Sequence, residues 1–222
     1  MKKVVFLVSG GGGTLIFINE IASLLKLPIK IVGVISDRSC NALDYAQKNN
    51  IPSHQIEYSR QNNAGLKNIL LQISPDIVIT NIHKIIDKEI VDLFQSKLIN
   101  LHYSLLPSFS GFIGMKTVEA AKKANSKFIG ATVHKVDEIV DHGEILAQSC
   151  FPVDWDTAGL VEDTVFRSAC LCLLNVLLFD GSNKKEFPFI KIHNTDVSFS
   201  PSLCFDVSDI NEKFWDRIKE LA

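Results

Sequence analysis

Four consecutive glycines, Gly10 to Gly13, constrain this chain more than any other feature of its 222 residues. Each glycine forfeits more backbone freedom on folding than any other residue. A run of them is expected only where side chains do not fit or where φ must be positive. Here the run follows a continuous apolar stretch at 4–8 (Val-Val-Phe-Leu-Val) and precedes an amphipathic stretch at 14–25. A buried strand, a glycine loop and a helix in that order present unpaired N–H groups and the positive end of a helix dipole. Such a turn suits a phosphate; the alternative is a tight turn that only packs helix on sheet. A dinucleotide fingerprint would require G-x-G-x-x-G with an acidic residue about 20 positions on. Gly10 and Gly12 fit it, the third position is Leu15, and the acidic candidate Asp37 lies 25 residues beyond Gly12. No lysine follows the glycines, which excludes a nucleoside-triphosphate P-loop.

The pattern then repeats. Apolar runs at 30–36, 77–80 and 97–101, and a weaker strand pattern at 53–58, alternate with amphipathic stretches at 41–49, 64–73 and 87–94. Doubly apolar strands separated by helices predict an α/β fold, a doubly wound and mostly parallel sheet covered on both faces. The second half changes character. A helix is expected at 114–125, and two β-rich runs at 128–136 and 144–153 are close enough for antiparallel pairing. A long helix at 158–179 follows, with Thr157 or Asp156 as its N-cap. Beyond the polar turn at 180–183 the reading is a strand at 189–193, a loop, and a last helix from about 209. The expected division is a domain over 1–180 and a C-terminal extension over 181–222 packed on it.

Ligands on parallel sheets bind at the carboxyl ends of the strands. The end of the fifth strand reads Asn100-Leu101-His102-Tyr103-Ser104-Leu105-Leu106-Pro107. Alternation places Asn100 and His102 on one face, and an amide beside an imidazole there makes poor core filling. Downstream, Gly130-Ala131-Thr132-Val133-His134 leads to Val140-Asp141-His142-Gly143, with Asp141 in a turn and Gly143 supplying its bend. A carboxylate that reaches His102 would hold the ring and favour its protonated form. Asp137, Glu138 and His142 read as solvated turn residues, and His134 as a sheet-face histidine with satisfied bonds.

These three segments, Val8-Ser9-Gly10-Gly11-Gly12-Gly13-Thr14-Leu15, Asn100 to Pro107 and Gly130 to Leu146, resemble the folate-dependent formyltransferases, and most of all the members that act in purine biosynthesis. The resemblance covers about the first 160 residues. It implies a Rossmann-like formyltransferase fold and a catalytic group of Asn100, His102 and Asp141. It also implies 10-formyltetrahydrofolate as formyl donor, and a phosphorylated amine acceptor of the glycinamide ribonucleotide kind. The acceptor phosphate would lie on Gly11, Gly12, Gly13 and Thr14, and the folate against Lys84, Ile85, Ile86, Val140 and Asp141. No metal is implied. The chain departs from the family pattern in four places. Glycine fills every position from 10 to 13, where relatives alternate it with Asn and Ser, and Tyr103 stands where a proline usually follows the histidine. Lys84 replaces an arginine, and 167–172 is mostly apolar where the purine enzymes carry an acidic residue. A sugar N-formyltransferase acting on a nucleotide-linked amino sugar therefore stays open, as does a nicotinamide-dependent oxidoreductase resting on the glycine loop and Asp37.

Charge narrows the partners. Lys plus Arg number 23 and Asp plus Glu 25, a formal net charge of −2. A nucleic-acid or membrane-surface protein relies on surplus basic charge, so neither partner is expected, and a transfer RNA substrate is disfavoured. The five cysteines form no C-x-x-C pair and are expected to be reduced. The N-terminal apolar run is shorter than the h-region of a secretory signal. The expectation is a cytoplasmic enzyme, monomeric or homodimeric.

Overall fold

In the computed structural model, residues 1–156, 159–179 and 186–222 are described. They form two compact units, Met1–Asn100 with Ser208–Ala222, and Leu101–Val207. The segment after 181 thus contributes to both: its strands belong to the second unit and its last helix to the first.

The first unit alternates strand and helix. Its elements are β1 (Lys2–Val8), α1 (Gly13–Leu24), β2 (Ile29–Ser36), α2 (Asn41–Lys48), β3 (Ser53–Gln55), α3 (Ala64–Ile73), β4 (Ile77–Asn81), α4 (Lys88–Phe94) and the start of β5 (Leu98–His102), whose last two residues are counted with the second unit. The strands lie in the order β3-β2-β1-β4-β5, and all pairings are parallel. The strand order reverses at β1, which pairs with β2 on one side and β4 on the other. The crevice beyond β1 and β4 is therefore the place where an open parallel sheet receives a ligand. Val4 to Leu7 are fully buried, as strands covered on both faces require.

On α1, the successive residues Leu15, Ile16, Phe17 and Ile18 are all buried, more than one helix face can turn to a sheet. The outer side is covered by the C-terminal helix, α7 (Glu212–Leu221). Trp215 stacks on Phe17 with ring centroids 5.2 Å apart, Phe214 meets Phe17 edge-on, and Arg217 pairs with Glu20 at 2.7 Å. Asn211 caps α7 by accepting from Phe214 N–H.

The second unit contains α5 (Lys116–Lys123), β6 (Phe128–Lys135), β7 (Ile145–Pro152), α6 (Val161–Leu178), β8 (Phe187–Ile192) and β9 (Thr195–Leu203). Its strands run β6-β7-β9-β8 and are antiparallel, the addition expected for the C-terminal half. Three expectations are corrected. The stretch read as a loop after 193 is the nine-residue β9, joined to β8 by a two-residue turn with φ +54° at His193. The third strand is only Ser53–Gln55. The long helix begins at Val161 with Leu160 before it, not at 158, and Asp156 does not cap it. The alternative cap Thr157 and the turn expected at 180–183 lie outside the described residues. Among the described residues no helix is long and apolar enough to cross a membrane.

Candidate active site

In the second unit three titratable side chains converge where β6 ends. The 136–144 connection closes back on itself, with Lys135 N–H donating to Glu144 O at 2.9 Å. Gly143 is required by this closure, because a Cβ there would collide with the Lys135 carbonyl. Gly143 lies in a bend, as expected, and the turn before it is made by Asp141, which adopts φ +58°, a conformation Asp and Asn tolerate better than other side chains. The turn returns the Asp141 carboxylate to the strand. Its Oδ2 accepts from Gly111 N–H at 2.7 Å and lies 3.6 Å from His102 Nδ1. Its Oδ1 lies 3.6 Å from His134 Nε2.

His102, buried at the end of β5, also donates from Nε2 to the Phe109 carbonyl at 3.0 Å. The two ring nitrogens thus face different oxygens, Nε2 the Phe109 carbonyl and Nδ1 the Asp141 carboxylate. His134 differs. Its Nδ1 donates to Lys135 O at 2.8 Å, and its Nε2 has no hydrogen-bond partner among the described residues. Burial holds the His134 pKa below the ordinary value, against the raising effects of that backbone bond and of Asp141. One carboxylate therefore stands between two imidazoles. His134, expected to be a satisfied sheet residue, is the member that sequence reasoning missed.

Asn100 lies two residues before His102 on β5 and is partly exposed. Its Nδ2 donates to Thr80 O at 2.5 Å and to Thr80 Oγ1 at 3.2 Å. The second of these bonds is long, and it is the N–H a ligand oxygen could take.

In the first unit the glycine loop opens α1 with Gly12 at φ +78°. The helix has neither a side-chain cap nor an acidic residue in its first turn, so its N-terminal donors and dipole remain available to an anion. Gly12 cannot carry a side chain here: its Cβ would lie 2.7 Å from Ala42 Cβ. Thr14, by contrast, is buried, and its hydroxyl accepts from Asn81 Nδ2 at 2.6 Å. Ser9 Oγ donates to Asp37 Oδ1 at 2.7 Å and accepts from His83 N–H at 2.8 Å. Burial raises the Asp37 pKa, but hydrogen bonds from Arg38 and Ser9 outweigh it and hold the carboxyl below its usual value. Asp37 is thus committed to internal bonds that tie the 82–86 segment to the glycine loop. Within that segment Lys84 is exposed, Ile85 is 49% exposed and Ile86 is buried. In the second unit Val140 is 42% exposed next to Asp141.

The apolar stretch of the late helix is buried, and the acidic side chain one turn earlier is engaged. Asp163 Oδ2 lies 2.7 Å from both Arg167 Nε and His193 Nε2. None of the five cysteines is in a disulfide, and burial pushes the Cys172 thiol up to about 12. Among the described residues no group of His, Cys, Asp and Glu has the arrangement of a metal site.

A model of the formyl transferase family matches residues 2–174. The chain is 33% identical over 161 residues to the chloroplastic phosphoribosylglycinamide formyltransferase of Vigna unguiculata, covering 68% of this chain and 52% of that protein. It is 32% identical over 162 residues to the phosphoribosylglycinamide formyltransferase of Haemophilus influenzae, covering 69% and 74%. The crystal structure of phosphoribosylglycinamide formyltransferase from Anaplasma phagocytophilum superimposes with a TM-score of 0.70 at 27% identity, over 79% of this chain and 85% of that one. The match thus spans about half the length of the plant relatives, 52% and 56% of the two.

Proposed function

We propose, for a chain that belongs to the formyl transferase family, that it moves a formyl group from 10-formyltetrahydrofolate to an amine. The acceptor is a phosphorylated one of the glycinamide ribonucleotide kind. The observation that carries this reading is the Asp141 carboxylate held against His102 at the end of β5. The donor supplies a formyl carbon whose oxygen gathers negative charge as the amine adds. His102, oriented by Asp141 and charged at the transition state, turns its Nε2–H from the Phe109 carbonyl to that oxygen, and Asn100 donates its second N–H. One such donor is typically worth ~3 kcal/mol at the transition state. Asp141 takes the proton of the attacking amine, directly or through a water, and returns it to the leaving nitrogen.

The remaining residues serve binding. Backbone N–H groups of Gly11, Gly12 and Gly13 receive the acceptor's phosphate at the open end of α1. The Thr14 hydroxyl accepts from Asn81 Nδ2 and keeps its own proton to donate. Lys84, Ile85, Ile86 and Val140 take the folate. The exposed apolar surfaces of Ile85 and Val140 suit a flat ring, and Lys84 suits a carboxylate, though as a point charge and not a fork.

The test is to incubate the protein with 10-formyltetrahydrofolate and one amine at a time and to follow tetrahydrofolate release. Glycinamide ribonucleotide is the expected acceptor. Turnover only with a nucleotide-linked amino sugar would move the assignment to sugar formylation. Release that needs no amine would make water the acceptor, and absence of release under every condition would end the reading.

A further inference from the structure

The 82–86 segment leaves the sheet at the carboxyl end of β4, and side chains hold it at both ends. At the near end Ser9 accepts from His83 N–H at 2.8 Å. At the far end a single phenol does the work. Tyr58 Oη accepts from Asp87 N–H at 2.9 Å, and its proton is shared between Asp87 Oδ2 at 3.1 Å and Ile85 O at 3.3 Å. Tyr58 and Asp87 are both buried. Burial also raises the phenol's pKa well above its usual value, so it stays a donor throughout the working pH range.

Asp87 divides its two oxygens between two tasks. Oδ1 caps α4, accepting from Ile90 N–H at 3.2 Å, and accepts from Asn63 Nδ2 at 2.9 Å. Oδ2 faces Tyr58. The helix cap and the loop clamp are therefore separable, which an arrangement serving only to stabilise α4 would not require. The clamped residues, Ile85 to Asp87, include the exposed Ile85 and lie beside Lys84.

We propose that Tyr58, acting through Asp87 and the Ile85 carbonyl, is a positioning residue for the folate: it presets the backbone of 84–86 so that the ligand meets an ordered surface. This rests on the reading of 84–86 as folate contacts given above. Without the phenol, Asp87 N–H and Oδ2 lose their shared partner and the segment loosens, so binding must order it. A lost buried hydrogen bond with that ordering cost corresponds to roughly 5- to 20-fold in affinity.

The experiment measures binding of tetrahydrofolate by calorimetry to the full chain and to variants, with melting curves for each. Tyr58→Phe is expected to weaken tetrahydrofolate roughly 5- to 20-fold and, in turnover, to raise the KM for the donor without raising that for the acceptor. Asp87→Ser, which keeps a capping oxygen but cannot reach the phenol, is expected to do the same and serves if the phenylalanine variant does not fold. Asn63→Ala, which cuts the bonds to Asp87 Oδ1 and Glu89 Oε2 and spares the phenol, is expected to lower the melting temperature and leave tetrahydrofolate affinity within about twofold. Lys84→Ala and Ile85→Ala test the underlying reading. If they weaken tetrahydrofolate and Tyr58→Phe does not, the positioning role is overturned while the contacts stand. If neither they nor Tyr58→Phe changes affinity, the folate assignment of 84–86 is overturned, and the positioning role with it. Equal weakening by Asn63→Ala would reduce the effect to general loosening and also overturn the role.

Discussion

Replacing Asp141 by asparagine removes one charge and almost nothing else. Asparagine tolerates φ +58° as well as aspartate does, and its carbonyl can still accept from Gly111 N–H. The loop therefore keeps its shape. What disappears is the attraction for the positive charge that His102 takes on at the transition state. Two unit charges 3.6 Å apart at an effective dielectric near 20 attract by about 5 kcal/mol. Desolvation of the buried pair cancels part of that, and a loss of ~3 kcal/mol at the transition state is a reasonable remainder, about 100-fold in kcat. Stability is expected to move the other way. The asparagine amide can donate to His134 Nε2, the ring nitrogen without a partner, so the buried acceptor gains a bond worth about 1 kcal/mol. The assays are steady-state turnover from tetrahydrofolate release and urea unfolding monitored by circular dichroism. Expected together are a kcat lowered at least ~100-fold, KM values changed little, and a stability equal to or above that of the parent. A kcat within tenfold of the parent would refute the proposed role of the carboxylate. A large drop in stability would refute the claim that His134 stands without a proton to share.

Other perturbations read other parts of the structure. Gly10→Ala, where nothing lies within 4 Å of the new Cβ, should behave as the parent. Gly12→Ala, with φ +78° and Ala42 Cβ 2.7 Å away, should cost about 2 kcal/mol or more in unfolding free energy and raise the KM of the phosphorylated acceptor far more than that of the donor. Trp215→Ala removes the ring stacked on Phe17 and should lower the unfolding free energy by about 3–5 kcal/mol in urea titrations; a loss under 1 kcal/mol would mean that α7 does not complete the core of α1. His134, whose pKa is depressed by burial from 6.5, binds its proton more readily when unfolded. Its contribution to stability is therefore full above about pH 6.5 and is lost as pH falls toward the folded value. His134→Gln should flatten the stability profile over that window, and an unchanged profile would show that His134 is not the group that titrates.

The parallel half was legible because strands buried on both faces leave a signal that local sequence carries in full: short apolar runs with helices between them. The expected helix over 64–73 coincides with α3. β9 was not legible, for a reason in its own residues. Val197, Phe199 and Leu203 point inward, but Asp196, Ser198, Ser200 and Pro201 are exposed, and the turn before it reaches positive φ at His193 without a glycine. A half-exposed strand with serine on its outer face and a proline in its length reads as loop. The active-site candidates divide in the same way. Asn100 and His102 could be found because alternation along one strand is a local property. His134 could not, because a histidine within a buried strand is unremarkable until a carboxylate approaches it, and that approach depends on how 136–144 closes. The closure depends in turn on Gly143, whose missing side chain lets the loop lie against the Lys135 carbonyl. Much of the information about this cluster thus resides in a residue with no chemistry of its own. The same holds for Tyr58: no spacing along the chain relates it to Asp87, and only the folding of 56–63 beneath α4 brings a phenol to the base of the segment that the folate would meet.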